Sequence, residues 1–313
     1  HDYEYEYEYV TPHRPRPTSP SMSPRLHVEP PYRSTMKLAA IIPAAGVGKR
    51  FTGSSVADMG QVSKIEMDLA GLPVFMRSVE LFVKRDDVTQ TVLAVNPDTF
   101  DEFKFRWGDK LGFHAVQLIP GGTAERWETV LKALEKIESD VTHVAVHDAA
   151  RPLASRRMID RVLEAAERHD AVIPGVPVSS TLKRVTEDDG GDAGDDDPLD
   201  AILGSGSKTK ISRVVETIDR TGIIEVQTPQ VFKIDLLRRA YAQVSEGKVD
   251  TAGVTDDASL VEALGEPVYV VDGESTNFKI TRAEDLELAS AIVHKRLKRE
   301  KADLGKKRLF GPG

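Results

Sequence analysis

Five short apolar runs alternate with amphipathic segments, and that alternation constrains the fold more than any other feature of the sequence. The runs are Leu38 to Ile42, Thr91 to Val95, Ala115 to Ile119, His143 to Val146 and Ala171 to Pro174. Between them, Pro73 to Lys84, Arg126 to Ile137 and Ser155 to Arg168 read as helices with one apolar face. This rhythm predicts an α/β domain with a mostly parallel sheet and helices on both faces. Ligands of such sheets bind outside the carboxyl ends of the strands. The residues that follow each run are therefore the place to look for chemistry.

The first run delivers Pro43-Ala44-Ala45-Gly46-Val47-Gly48-Lys49-Arg50. Small residues let a backbone approach phosphate oxygens, and the N–H groups of such a turn point at the anion. Arg50, and Lys64 further on, would add positive charge. The spacing excludes two common phosphate loops. A P-loop has four residues between its glycines followed by Gly-Lys-Ser/Thr, whereas one residue separates Gly46 from Gly48. A dinucleotide fingerprint needs a glycine at position 51, which is Phe51. An ordinary strand-to-helix turn remains the alternative for this segment.

With 313 residues, 40% of them hydrophobic, the chain can bury a sizeable core. No stretch reaches the roughly 18 to 20 apolar residues of a membrane span, and the N-terminus lacks the charged-then-apolar order of a secretory signal. The absence of cysteine excludes disulfides and thiolate metal sites, so a metal would be held by oxygen or imidazole. These features fit a cytoplasmic enzyme. A net charge of −8 argues against a nucleic-acid partner. Much of that acidity is concentrated between Glu187 and Asp200, so a polyanionic substrate is not repelled everywhere.

Residues 1–35 read as a disordered tail, with a start at Met36 as one possibility, and residues 36–299 as the main domain. The rhythm breaks between 177 and 232. There Thr181 to Val185 and Val214 to Thr217 look like two strands of a β excursion, separated by an acidic, Gly-rich insert at about 188–208. A final helix is expected from Arg282 to about Arg299, followed by a basic, solvated tail at 300–313.

Val146-His147-Asp148-Ala149-Ala150-Arg151-Pro152 sets a carboxylate beside a cation after a buried strand. Asp148 suits a single-carboxylate Mg²⁺ site, because Mg²⁺ keeps waters and takes its other oxygens from substrate phosphates. Capping of the next helix is its alternative role. His147 reads as a packed or hydrogen-bonded structural residue. Gly121-Gly122-Thr123-Ala124-Glu125-Arg126-Trp127-Glu128-Thr129 is a glycine turn entering a helix, whose backbone and Thr129 hydroxyl could read a base edge. Thr217-Ile218-Asp219-Arg220 and Gln227-Thr228-Pro229-Gln230 flank the return of the excursion, and Asn277-Phe278-Lys279-Ile280-Thr281 puts a lysine in a strand-like stretch.

In this order, over about residues 37–297, these segments resemble the 2-C-methyl-D-erythritol 4-phosphate cytidylyltransferase family. The resemblance is carried by Pro-Ala-Ala-Gly-x-Gly-x-Arg, Val-His-Asp-Ala-Ala-Arg-Pro, Thr-Pro-Gln, Thr-Asp-Asp-Ala-Ser and Asn-x-Lys-x-Thr-Arg. It implies a Rossmann-like nucleotidyltransferase domain with a protruding β-arm, through which such proteins are homodimers. Carried over by position, the CTP site comprises Ala44, Ala45, Gly46, Gly48, Arg50, Lys64, Gly122, Thr129, Asp148 and Lys279. Arg50, Lys64 and Lys279 take catalytic roles and Asp148 the metal. The methylerythritol phosphate site comprises Arg151 and Thr181, with Arg220 and Thr228 reaching in from the partner's arm. The implied reaction is attack of a sugar-phosphate oxygen on the α-phosphorus of CTP.

Three departures from the family pattern stand out. The family's Pro-Lys-Gln segment is Ser63-Lys64-Ile65 here and follows a lengthened loop, Thr123-Ala124 occupies the glycine turn, and Ser180 stands where aspartate is common. Two alternatives stay open. One is a cytidylyltransferase for another polyol phosphate, such as ribitol 5-phosphate, and the other is a noncatalytic CTP-binding homologue.

Overall fold

The run at Leu38 forms β1, Leu38–Ala44, a strand buried on both faces because strands pair with it on either side. The computed structural model describes residues 36–46, 63–187, 211–251 and 254–310. The expected tail at 1–35, Gly48 and Arg50 of the glycine loop, and the insert at 188–208 lie outside the described residues.

From β1 the chain passes through two very short strands, β2 (Asp68–Leu69) and β3 (Leu72–Pro73), into α1, Val74–Val83. Then follow β4 (Val88–Val95), α2 (Phe100–Phe113), β5 (Val116–Pro120), α3 (Arg126–Leu134), β6 (His143–Val146), α4 (Arg156–Ala166) and β7 (Ala171–Pro177). The strands β5, β4, β1 and β6 lie side by side and parallel. The chain steps outward from β1 to β4 and β5, then returns to the other side of β1 with β6. That reversal opens a crevice at the carboxyl ends of β1 and β6.

The second half completes the sheet differently. β11 (Gln230–Lys233) inserts antiparallel between β6 and β7, and β10 (Ile224–Val226) continues antiparallel along the same edge of β7. β12 (Tyr269–Asp272) runs parallel to β7 on its far edge. The helices α5 (Ile234–Ser245), α6 (Asp257–Ala263) and α7 (Ala283–Phe310) follow β11, precede β12 and follow it, respectively.

Alternate residues of β1 define the two layers. Leu38, Ala40 and Ile42 pack with Phe75, Val79 and Phe82 of α1, Phe103 of α2 and Met158 of α4. Ala39 and Ile41 face the other way, onto Val130 of α3, Leu237 and Tyr241 of α5, and Val261 of α6. Helices thus cover both faces of a mostly parallel sheet, as the alternation predicted. Residues of α7 cap one end, with Ala289 and Val293 packed on Leu69, Val74 and Leu153.

The excursion is a two-stranded antiparallel ribbon, β8 (Leu182–Glu187) with β9 (Ser212–Ile218), and among the described residues neither strand joins the main sheet. Its apolar Val185, Val214 and Val215 are more than half exposed.

Two local expectations are corrected. The last helix does not stop near Arg299 but runs on through Phe310, since no helix breaker intervenes before Gly311 except the single Gly305. The stretch Asn277 to Thr281 is not a strand. It is a loop that folds back over the end of β6, with the Ile280 N–H donating to the Ala150 carbonyl over 2.8 Å.

Candidate active site

Three glycine-rich or acidic loops meet at the carboxyl ends of the parallel strands. At the end of β1, Ala44 and the following Ala45 are buried and Gly46 is exposed. After β5, the Gly121 N–H donates to the Val95 carbonyl over 2.7 Å, and the Gly122 N–H donates to the Thr129 hydroxyl over 3.0 Å. Glycine is required here by contact. A Cβ on Gly121 would lie 2.8 Å from the Ala45 Cβ and 2.9 Å from the Thr129 Cγ2, and one on Gly122 would lie 2.4 Å from the Glu128 Cβ. The Glu128 carboxylate caps the turn, accepting from the Ala124 and Thr123 N–H groups at 3.1 Å each. Thr129 is buried, and its hydroxyl keeps its own proton to donate.

After β6, Asp148 is the centre of charge. Lys279 Nζ lies 2.9 Å from its Oδ2 and Arg126 Nε 3.2 Å from its Oδ1. Arg151 Nε stands 3.5 Å from Oδ2, near enough for an ion pair and too far for a good hydrogen bond. Burial works against ionisation of Asp148, yet the Arg126, Lys279 and Arg151 charges hold its carboxyl far below the ordinary carboxylate range. The magnitudes explain the balance. One contact pair gains about 4 kcal/mol at an effective dielectric of about 20, so three together exceed a desolvation cost of several kcal/mol. Asp148 does not cap the following helix. Ser155 does, its hydroxyl accepting from the Met158 N–H over 3.0 Å.

A buried polar layer fixes this constellation from below. His147 is fully buried, with Nε2 2.9 Å from the Arg151 carbonyl and Nδ1 3.1 Å from the Thr228 hydroxyl. A carbonyl only accepts, so Nε2 carries the proton and Nδ1 accepts from Thr228. Thr228 in turn accepts from the Asp148 N–H over 3.1 Å. Burial depresses the His147 pKa to about 4, so the ring stays neutral at physiological pH. The structural reading of His147 fits this geometry.

The loop bearing Lys279 is clipped in place by amides. Gln227 donates to the Glu274 carbonyl over 2.8 Å and accepts from the Glu274 N–H over 3.1 Å. Asn277 donates to the Thr228 carbonyl over 2.9 Å, and Arg151 donates to the Asn277 carbonyl over 2.8 Å.

The structure therefore brings together Asp148, Arg151, Thr228 and Lys279 from the expected set. They line a cavity of about 410 Å³ together with Arg126, Thr255, Asp256 and Ser259. Thr228 needs a correction: it does not sit on an arm that reaches a partner. It lies between β10 and β11, buried against its own chain's Asp148 and His147. Thr181 and Arg220 stand elsewhere, exposed at the root of the ribbon, where Arg220 bonds the Ser179 carbonyl. Lys64 opens a short 3₁₀ turn, Lys64–Glu66, outside that cavity lining. Ile65 anchors this turn in the core, and the Glu66 carboxylate accepts from Trp107 Nε1 at 2.9 Å.

Arg126 is the residue that sequence reasoning missed. It sat in plain view after the glycine turn, read only as a helix start. A cation in the first turn of a helix opposes the helix dipole, and that mismatch is a signal of buried anionic partners. One oxygen of buried Asp257 receives Arg126 Nη1 at 2.7 Å, beside Asp148.

No three acidic or histidine side chains cluster as a metal cage among the described residues. One ionised carboxylate lining the cavity fits a Mg²⁺ that draws its remaining ligands from phosphate and water, and Asp148 would take the ion by giving up a contact to Lys279 or Arg151.

Comparison with known proteins converges on one family. The profile of 2-C-methyl-D-erythritol 4-phosphate cytidylyltransferase matches residues 38–192 and 200–295. The protein of that name from Frankia casuarinae is 39% identical over 258 residues, covering 82% of this chain and 81% of its own. The chloroplastic protein of that name from Oryza sativa subsp. japonica is 33% identical, covering 83% and 75%. The crystal structure of the Thermus thermophilus protein of that name superposes with a TM-score of 0.60 at 30% identity, covering 83% of this chain and all of that one.

Proposed function

The chain belongs to the 2-C-methyl-D-erythritol 4-phosphate cytidylyltransferase family, and from that premise we propose how its residues carry the family's reaction. The enzyme transfers the cytidylyl group of CTP to 2-C-methyl-D-erythritol 4-phosphate, a step of isoprenoid precursor biosynthesis. An acceptor phosphate oxygen forms a bond to the α-phosphorus of CTP. The bond from that phosphorus to the oxygen bridging the β-phosphate breaks, and its electron pair leaves with pyrophosphate. The product is 4-diphosphocytidyl-2-C-methyl-D-erythritol.

The attacking oxygen is already ionised at neutral pH, so no general base is needed. Alignment of two polyanions and neutralisation of charge on the α-phosphoryl group are what the site must supply. The observation that carries this reading is the meeting of Arg126, Arg151 and Lys279 on Asp148 at the carboxyl end of β6. Lys279 and Arg126 face the reacting phosphates. Arg50 and Lys64 would add the positive charge that completes the neutralisation. Ala44, Ala45, Gly46 and Gly48 offer backbone to the triphosphate, while Gly122 and Thr129 read the cytosine edge.

Asp148, held ionised, is the residue that would hold Mg²⁺. The metal would supply charge neutralisation on the triphosphate.

Arg151, clamped by the carbonyls of Asn277 and Val226, presents its remaining N–H groups to the acceptor phosphate. Thr181 and Arg220 stand apart from their own cavity, which supports their service in a second copy: the ribbon of each protomer completes the site of its partner in a homodimer. Among the described residues no helix is long and apolar enough to cross a membrane, and we place the reaction in the cytoplasm.

CTP labelled at the α-phosphorus tests the step. With 2-C-methyl-D-erythritol 4-phosphate the label is expected in the nucleotide-sugar product and none in pyrophosphate. Label released as CMP or CDP instead of entering the product, or CTP binding without product, would overturn the reading.

A further inference from the structure

We propose that Asp257, braced by Tyr241, is a positioning residue that holds the Arg126 guanidinium against Asp148. The inference rests on the cytidylyl-transfer reading and deepens it. Arg126 opens α3, where the positive end of the helix dipole disfavours a cation. It is held there by two carboxylates from other elements: Nη1 donates to Asp257 Oδ2 at 2.7 Å, and Nε donates to Asp148 Oδ1 at 3.2 Å. Asp257 is fully buried at the first position of α6, where the dipole favours an anion. Its second oxygen accepts from the Tyr241 hydroxyl at 2.6 Å, and Tyr241 is itself buried in α5.

Both Asp257 oxygens are thus engaged inside the protein. The residue does not line the cavity, although its neighbours Asp256 and Ser259 do. Asp257 acts on the reaction only through Arg126, by fixing one edge of the guanidinium so that the other stays aimed at Asp148. It also offsets one positive charge, which lets the partly buried Arg126 sit at low cost beside Lys279 and Arg151. An ion pair that merely supported the fold would leave turnover of folded enzyme unchanged.

The test is a double-mutant cycle read as kcat/KM for CTP by pyrophosphate release, with unfolding followed in parallel. Arg126→Met is expected to lose on the order of 10²-fold, and Asp257→Asn about tenfold or more. In the Arg126→Met background, Asp257→Asn should add less than about twofold, because its partner is already gone. Losses that multiply in the double variant, or Asp257→Asn within about twofold of wild type, would overturn the proposal. Should either variant fail to fold, Tyr241→Phe decides. A kcat per folded molecule lowered about threefold or more supports the proposal, and wild-type kcat overturns it. Wild-type protein without turnover would instead overturn the transfer reading, and this inference with it.

Discussion

The ammonium of Lys279 lies 2.9 Å from Oδ2 of Asp148, so a loop that follows β12 closes onto the loop that follows β6. The two side chains differ in exposure: that of Asp148 is 11% exposed, whereas that of Lys279 is 39% exposed. A buried carboxylate thus anchors a cation that still reaches the cavity. The amides of Gln227 and Asn277 set the loop that makes this contact.

Asp148→Asn leaves Arg126, Arg151 and Lys279 crowded without their shared anion. The variant should lose about 3–5 kcal/mol of stability, measured by urea unfolding at pH 7. In the wild type the folded-state pKa of Asp148 is depressed. Its contribution is therefore fully present above the ordinary carboxylate pKa of about 3.9 and is lost as pH falls below it. Asp148→Asn should show a shallower fall in stability over that range.

His147 titrates in a different window. Its pKa is lowered by burial from 6.5 to about 4, so the unfolded chain binds a proton that the native state refuses between those values. Stability is fully present above about pH 6.5 and falls by roughly 3 kcal/mol as pH drops to about 4. Nitrogen-15 NMR should report a neutral ring with the proton on Nε2 at pH 6. A charged ring there, or a proton on Nδ1, would contradict the assigned network.

Gly121→Ala places a methyl 2.8 Å from the Ala45 Cβ and 2.9 Å from the Thr129 side chain. None of these is the flexible end of a long side chain, so the two loops must separate. We expect a cost of about 1–3 kcal/mol in stability and weaker CTP binding by isothermal titration. Unchanged binding would detach this turn from the nucleotide site.

These sites differ in how legible they were from sequence. The strands β1, β4, β6 and β7 were readable because strands inside a mostly parallel sheet are near-continuous apolar runs, and the edge strand β5 was readable because its short run is also largely apolar. The helices α1, α3 and α4 were readable from their one-sided apolar faces. By contrast, α2 buries only Phe103 and Leu111, too sparse a stripe to show periodicity. The four-residue strands β11 and β12 owe their state to the neighbours they pair with. The same division holds for the site. Asp148 and the glycine turns carry local signatures, whereas Arg126 acquires its meaning only when Asp257, far along the chain, packs beside it. Thr228 was legible as a motif but misplaced, because nothing local says that its segment enters the sheet.

The proposed sharing of the site between protomers predicts complementation. Arg220→Ala and Lys279→Ala would each be nearly inactive alone, since each damages every site. Refolded together, half of the dimers are mixed and each mixed dimer holds one intact site. About a quarter of wild-type activity should return. No recovery, with dimers present by light scattering, would confine Arg220 to its own protomer.

The most direct measurement of the central claim is pyrophosphate release from the purified protein with CTP and Mg²⁺. It should be run with 2-C-methyl-D-erythritol 4-phosphate, with ribitol 5-phosphate, and with Lys279→Ala as control. The account predicts turnover with the first acceptor, little with the second, and a loss of about 10²- to 10³-fold in the control. Turnover only with ribitol 5-phosphate, or turnover indifferent to Lys279, would contradict it.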